Sequence, residues 1–381
     1  MSFKPFCSTE IVFTNMSELS HRLLSIKANN VLLVMSESAV NRWGLGLMVD
    51  SMQKKCESSS GTFIWIKSVA ANPTQRDITE CLHQIGNKKI EAIIALGGGS
   101  AIDLAKGICA FYDREKNSKY TINMLTGLVK NKRYSNNKEN IDIIAVPTTA
   151  GTGSEVTQWA TIWDESRTAK FSIDDPGLKP ELAIIVPELT VSMPPKMTVS
   201  TGLDAMCQAV EAYWSKHTTP VVQEIAYRAV EIIIENLRRA VDEPSDITVR
   251  EKLCRASVLA GLAFSQTRTT ACHSISYPLT MLYGIPHGLA ASISLDGVGA
   301  INKGHFPNDT QLFSLFDKFG GIKNFIDKVS SGVVTMRLTG FGITENDISN
   351  IAKNAFTGGR MDNNPVDLSA EDVESVLRAV L

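Results

Sequence analysis

The first half of the chain alternates between two hydrophobic periods. Short, mostly apolar runs at 31–35 (VLLVM), 62–69 (TFIWIKSV), 91–96 (EAIIAL) and 141–146 (IDIIAV) predict strands, the continuous ones buried on both faces. Amphipathic stretches at 39–55, 75–85 and 101–112 predict the helices between them. Such alternation predicts a parallel sheet covered by helices. A Lys- and Asn-rich insertion occupies about 113–140; its residues 114–138 hold seven basic side chains and one acidic one. This reads as a solvated loop, or more sharply as a small-anion funnel. From about residue 190 long amphipathic segments dominate, at 200–215, 220–240, 247–265, 270–282, 288–302, 310–330, 344–356 and 369–380. The fold class expected is an α/β N-terminal domain with a parallel sheet, residues 1–187, and an all-α C-terminal domain, residues 188–381.

Composition narrows the function. The 381 residues suit two domains, and 38 Lys and Arg against 40 Asp and Glu leave a net charge of −2. No basic surface is available for nucleic acid. No run approaches the roughly 18 apolar residues of a membrane span, and the first twenty residues lack a signal-peptide core. The seven cysteines are scattered, with no CxxC pair. They read as reduced thiols of a cytoplasmic protein rather than as disulfides or a thiolate zinc site.

Two glycine-rich turns follow predicted strands. In the first, Gly97-Gly98-Gly99-Ser100, glycines let a ligand approach the backbone, and the helix beginning there offers free amides and its positive dipole end to an anion such as a pyrophosphate. A turn needed only for packing is the alternative. The second, PTTAGTGSEVT at 147–157, offers five hydroxyls and two glycines. Two such loops at strand C-terminal ends mark the crevice where open parallel sheets bind ligands. In the helical half, Asp204 and Gln208 share a helix face, with Glu211 one turn on. Asp204 adjoins the apolar stripe Leu203, Cys207, Val210 and Trp214, where an unpaired carboxylate is costly. His273 and His287 lie fourteen residues apart in an apolar, turn-rich region. One carboxylate and two imidazoles make a workable set for a borderline divalent ion, unless the histidines are simply structural.

These motifs carry a resemblance. The chain resembles the iron-containing (group III) alcohol dehydrogenases from end to end, through Asn72-Pro73, GGGSAIDLAK at 97–106, PTTAGTGSEVT, TGLDAMCQAVEAY at 201–213, the segment 271–288 and MDNNP at 361–365. The resemblance implies a dinucleotide-binding domain followed by a helical metal and substrate domain. It assigns the cofactor to Gly97, Gly98, Gly99 and Ser100, lined by Asn72, Asp103, Thr148, Thr149, Thr152, Ser154 and Lys170. It assigns the metal, iron first and zinc second, to Asp204, His273 and His287. The chain departs from the family's usual ligands at Gln208 and Tyr277, each of which replaces a histidine. Gln208 then becomes a weaker oxygen ligand.

Those departures point to one branch. SQTRTTACHSISYPLTMLYGIPHG at 265–288 is similar to the phosphonoacetaldehyde reductases, also described as 2-hydroxyethylphosphonate dehydrogenases. The reaction implied is reduction of phosphonoacetaldehyde by NAD(P)H. The substrate residues would be Arg268 and Thr269, with Arg268 holding the phosphonate unless it forms only a surface salt bridge, and Lys170 as a second charge. Tyr277 or a water on the metal would supply the proton. Ser36 stands where many relatives carry a ribose-binding aspartate, which favours NADPH slightly over NADH, although Glu37 could select NADH. A homodimer fits the family. The alternatives are a generic short-chain alcohol dehydrogenase, a lyase of the dehydroquinate-synthase type with recycled NAD, and a non-catalytic nucleotide-binding remnant.

Overall fold

The computed structural model describes residues 7–134, 141–164 and 170–381. The end of the basic insertion, residues 135–140, lies outside the described residues. The chain forms two compact units, Met1–Thr149 with Ser154–Thr190, and Ala150–Gly153 with Val191–Leu381.

The first unit runs β1 (Glu10–Phe13), α1 (Met16–Leu24), β2 (Val31–Val34), α2 (Glu37–Trp43), α3 (Gly46–Ser58), β3 (Phe63–Ile66), α4 (Gln75–Ile85), β4 (Ala92–Gly97), α5 (Gly99–Phe111), α6 (Ile122–Lys130), β5 (Asp142–Pro147), β6 (Trp159–Trp163), β7 (Lys170–Asp174) and β8 (Leu182–Ile185). Six strands form one parallel sheet in the order β1-β8-β5-β4-β2-β3. The apolar runs are continuous because both faces are covered. Leu32, Val34, Ile93 and Ala95 point into a core shared with Ile78, Ile102 and Leu125 of α4, α5 and α6. Their neighbours Val31, Leu33, Ala92 and Ile94 feed the opposite core, with Leu19, Val40 and Met48 of α1, α2 and α3.

The predicted elements differ from the observed ones in definite ways. The single helix expected at 39–55 is two, because Gly44 is left-handed at φ 65 and ends α2. The insertion contains α6, whose apolar face is buried through Leu125 and Val129. β1 lies at the sheet edge, and its four half-exposed residues carry no periodic signal. β8 is a four-residue apolar run between Pro180 and Pro187, too short for periodicity to identify. β6 and β7 form a separate antiparallel pair, and the last residue of β6 receives an isolated parallel bridge from Thr74.

The second unit is helical: α7 (Pro195–Trp214), α8 (Pro220–Asp242), α9 (Ile247–Thr267), α10 (Ala271–Tyr283), α11 (His287–Ile293), α12 (Leu295–Asn302), α13 (Asp309–Ser314), α14 (Ile322–Ser330), α15 (Glu345–Asn354) and α16 (Ala370–Arg378). α7 is buried on nearly every face, as expected of a central helix, and packs against α8, α9 and α11. The helix expected at 288–302 is divided at Ser294, and the one expected at 310–330 is broken by Gly320-Gly321, both at positive φ. Among the described residues no helix is long and apolar enough to cross a membrane.

Candidate active site

The two glycine-rich turns leave neighbouring strands of the first unit, with Gly97 paired to Pro147 at the C-terminal ends of β4 and β5. The turn into α5 is tight: a Cβ on Gly97 would stand 2.6 Å from that of Ala101. Gly98 caps α5 without a side-chain hydrogen bond, and the first turn carries no acid. The first amides of α5 therefore remain available to an anion. Asn72, at φ 58, donates its backbone N–H to Ser100 Oγ at 3.1 Å, which joins the Asn72-Pro73 turn to this helix start. Thr148 is buried and donates its backbone N–H to Gly97 O at 3.0 Å; Thr149 stands beside Gly98. Ser36 caps α2, accepting from Ala39 N at 3.3 Å.

Asp103 and Ser154 belong to a buried cluster centred on Lys106. Lys106, 0% exposed, donates to Ser154 O at 2.6 Å, Thr157 O at 2.7 Å, Trp159 O at 2.9 Å and Ser154 Oγ at 3.1 Å. Asp103 accepts from Ser154 Oγ at 2.7 Å and Thr161 N at 3.0 Å. Burial pushes Lys106 down to about 8, against the pull of Asp103, and raises Asp103. Lys170, at the start of β7, lies near enough to favour the Asp103 carboxylate, and its ammonium stands 6.0 Å from the Trp163 ring centre.

The second unit gathers the residues expected to hold a metal. One ligand atom each from Asp204, His273 and His287 lie within 4.8 Å of one another. Asp204 comes from the middle of α7, His273 from the first turn of α10 and His287 from the start of α11. Gly288 permits this approach, since a Cβ there would meet Ser200 O of α7 at 1.9 Å. Gln208 Nε2 donates to Asp204 Oδ2 at 3.1 Å. Asp204 Oδ1, Gln208 Oε1 and His273 Nε2 are buried without a hydrogen-bond partner, although the first and last are 3.4 Å apart. Each orphaned buried group costs about 1–3 kcal/mol, and a divalent cation held by Asp204, His273 and His287 would satisfy the orphaned atoms of Asp204 and His273. This donor set fits such an ion. Thr152, in the short 150–153 segment of this unit, is half-buried.

Behind the cluster stands Glu211, fully buried. Its Oε1 accepts from Thr270 N, Thr270 Oγ1 and His273 N at 3.0, 2.9 and 3.2 Å, and its Oε2 bonds His273 Nδ1. Trp214 Nε1 donates to Thr270 Oγ1 at 2.8 Å and completes the chain. Such a carboxylate fixes which imidazole nitrogen faces a metal. Burial opposes charge on His273, but Glu211 and Asp204 outweigh it and push its pKa up to about 9. Tyr277 stacks on His287 with ring centres 6.2 Å apart, and burial raises its phenol. Arg268 ends α9 at φ 61 and ψ −179, with its backbone N–H on Phe264 O at 2.7 Å and its side chain exposed. Thr269 beside it is buried.

Three contributors carry no role in the sequence reading. Glu211 is visible there as a face-mate of Asp204, but its bond to His273 spans 62 residues. Lys106 closes GGGSAIDLAK, and a lysine inside an apolar helix face is the signal that could have found it. Arg360, whose guanidinium lies 5.3 Å from the Tyr277 ring centre, has no local signal at all.

Comparison with known proteins places the chain in a family. The profile of the iron-containing alcohol dehydrogenases matches residues 8–187, and that of the family's C-terminal region matches 198–381. The NAD-dependent methanol dehydrogenase of Bacillus methanolicus is 28% identical over 96% of this chain and 95% of its own. The phosphonoacetaldehyde reductase of Streptomyces viridochromogenes is 33% identical over 58% of this chain and 56% of its own. The sulfoacetaldehyde reductase of Bifidobacterium kashiwanohense, solved with NAD+, superposes with a TM-score of 0.83 at 27% identity, covering 100% of this chain and 99% of that one. The enzymes of this family use NAD(P)H and a divalent metal. The chain belongs to the iron-containing alcohol dehydrogenase family and is an NAD(P)-dependent, metal-containing oxidoreductase.

Proposed function

We propose that the protein reduces a small anionic aldehyde, phosphonoacetaldehyde in the first instance, to its alcohol with hydride from NAD(P)H. The observation that carries this reading is Arg268. A non-glycine residue at φ 61 and ψ −179 costs about 1–3 kcal/mol, and strain of this kind is retained where function requires it. Its guanidinium is exposed five residues ahead of His273. Two relatives named for anionic aldehydes add support.

When bound, the nicotinamide supplies the hydride and the divalent cation polarises the carbonyl. Asp204, His273 and His287 hold that cation, with Gln208 Oε1 as a further neutral oxygen, and Glu211 keeps His273 in the tautomer that presents Nε2. Arg268 pairs with the phosphonate oxygens, and the neighbouring Thr269 belongs to the same subsite. Tyr277, kept protonated by burial, carries a proton on its phenol beside His287 for the oxygen that becomes the hydroxyl. On the cofactor side, the α5 amides and Ser100 take the pyrophosphate, with Gly97 to Gly99, Asn72, Thr148, Thr149, Thr152 and Lys170 around the dinucleotide. Asp103, Ser154 and Lys106 brace the loop after β5. Ser36 carries no charge to repel a 2′-phosphate and Glu37 turns to Lys67 at 3.9 Å, which favours NADPH. The seven free cysteines suit a reducing, cytoplasmic setting, and the homodimer follows from the resemblance.

The test is nicotinamide oxidation by metal-loaded protein with phosphonoacetaldehyde, beside acetaldehyde, propionaldehyde and lactaldehyde. A kcat/KM preference for the phosphonate above about tenfold, or about 1.4 kcal/mol, is expected. Equal rates with every aldehyde would leave a generic alcohol dehydrogenase. No net change in nicotinamide would point to a lyase.

A further inference from the structure

Among the described residues Arg360 pairs with no carboxylate, and its side-chain hydrogen-bond partner is the Tyr277 phenol. Its guanidinium lies over the Tyr277 ring, 5.3 Å from the centre, and Tyr277 in turn stacks on His287 at an interplanar angle of 13°. A charged group thus stands two stacking steps from a member of the metal cluster. Beside its hydrogen bond to the Tyr277 phenol, the guanidinium keeps an unsatisfied Nε, which is costly in a partly buried group and which an incoming anion would satisfy.

A second observation brings Arg268 to the same place. Arg268 Nη1 lies 3.5 Å from where a Cβ on Gly359 would stand, immediately before Arg360. Asn363 Nδ2 donates to both Thr269 O at 3.2 Å and Gly359 O at 2.9 Å. One buried amide therefore fastens together the two backbone segments that carry the two arginines.

We infer that Arg360 is a specificity-determining residue, which together with Arg268 forms a two-guanidinium clamp for the tetrahedral oxyanion head of the aldehyde. The inference rests on the anionic-aldehyde reading and deepens it. Two fixed positive charges match a dianionic phosphonate better than a monoanionic sulfonate, and planar guanidinium groups can each offer paired N–H donors to its oxygens. Stacking on Tyr277 restrains the Arg360 side chain before the anion arrives, which lowers the ordering cost of binding.

The experiment uses the metal-loaded full chain, wild type, R360Q and R360K. It reads the calorimetric Kd of methylphosphonate and the kcat/KM values for phosphonoacetaldehyde, sulfoacetaldehyde and propionaldehyde. The expected result in R360Q is a Kd weakened at least tenfold and a phosphonoacetaldehyde-to-propionaldehyde ratio lowered at least tenfold, mainly through KM. Sulfoacetaldehyde should suffer less, and R360K should recover part of the loss, because lysine keeps the charge but not the paired donors. An unchanged methylphosphonate Kd, with both aldehydes slowed equally, would overturn the clamp and leave Arg360 as a support for Tyr277. A wild type that prefers the phosphonate and an R360Q that keeps the preference would overturn Arg360 alone. A wild type with no anion preference would overturn the anionic-aldehyde reading and the clamp with it.

Discussion

Two buried clusters of charge, one in each unit, end differently. Around Lys106 the accounting closes: the ammonium reaches four oxygens of the 154–159 segment, and Asp103 receives two donors. Around His273 it does not close, because Asp204 Oδ1, Gln208 Oε1 and His273 Nε2 have no hydrogen-bond partner. The first pattern is that of a brace, complete in itself. The second is that of a site whose last partner comes from outside. Buried charge alone therefore does not identify a functional centre. What identifies it is orphaned atoms that belong to a cluster of ligand groups within 4.8 Å of one another.

The largest expected effect breaks the brace. Lys106→Met leaves Asp103 and three carbonyls without their cation and should cost about 3–5 kcal/mol, read by denaturant unfolding. Next, Gly288→Ala drives a Cβ into Ser200 O and must push α11, with His287, away from α7. A stability loss of about 1–3 kcal/mol and reduced metal content are expected. Glu211→Gln keeps the shape but removes the charge that orients His273. A cobalt titration should show metal affinity about 10–100-fold weaker. An unchanged affinity would make Glu211 a brace like Lys106. The smallest effect concerns a partly exposed contrast to both clusters. Lys89 and the backbone N–H groups of Asn29 and Asn30 lower Glu91 to about 2. A depressed carboxylate stabilises the fold above its unfolded value near 4.5 and loses that contribution as pH falls toward 2. Glu91→Gln should therefore cost about 1 kcal/mol at neutral pH, and the difference from wild type should vanish near pH 2.

Much of this was legible in the sequence, for physical reasons that differ by element. The buried strands β2, β4 and β5 announce themselves as apolar runs because both their faces are covered. The capped helix α4 appears at its observed bounds because a capping box at Thr74 and Asp77 marks its start. The α/β and helical halves follow from those periods, and Asp204, His273 and His287 were nameable as a set. Their meeting was not, because it depends on Gly288 and on the packing of α7, α10 and α11. Glu211, Lys106 and Arg360 act through contacts across tens of residues, which no local pattern records. The helix breaks at Gly44 and Gly320-Gly321 were visible as glycines but not as ends, since the amphipathic period continues through them.

The most direct test of the contrast between a closed and an open cluster is metal content. Wild type, His273→Ala and Lys106→Met would be equilibrated with a divalent metal, dialysed and analysed for ions bound per chain. A single bound ion in wild type and in folded Lys106→Met, absent from His273→Ala, is the predicted result. An ion that survives His273→Ala, or a wild type that takes up none at saturating metal, would contradict it.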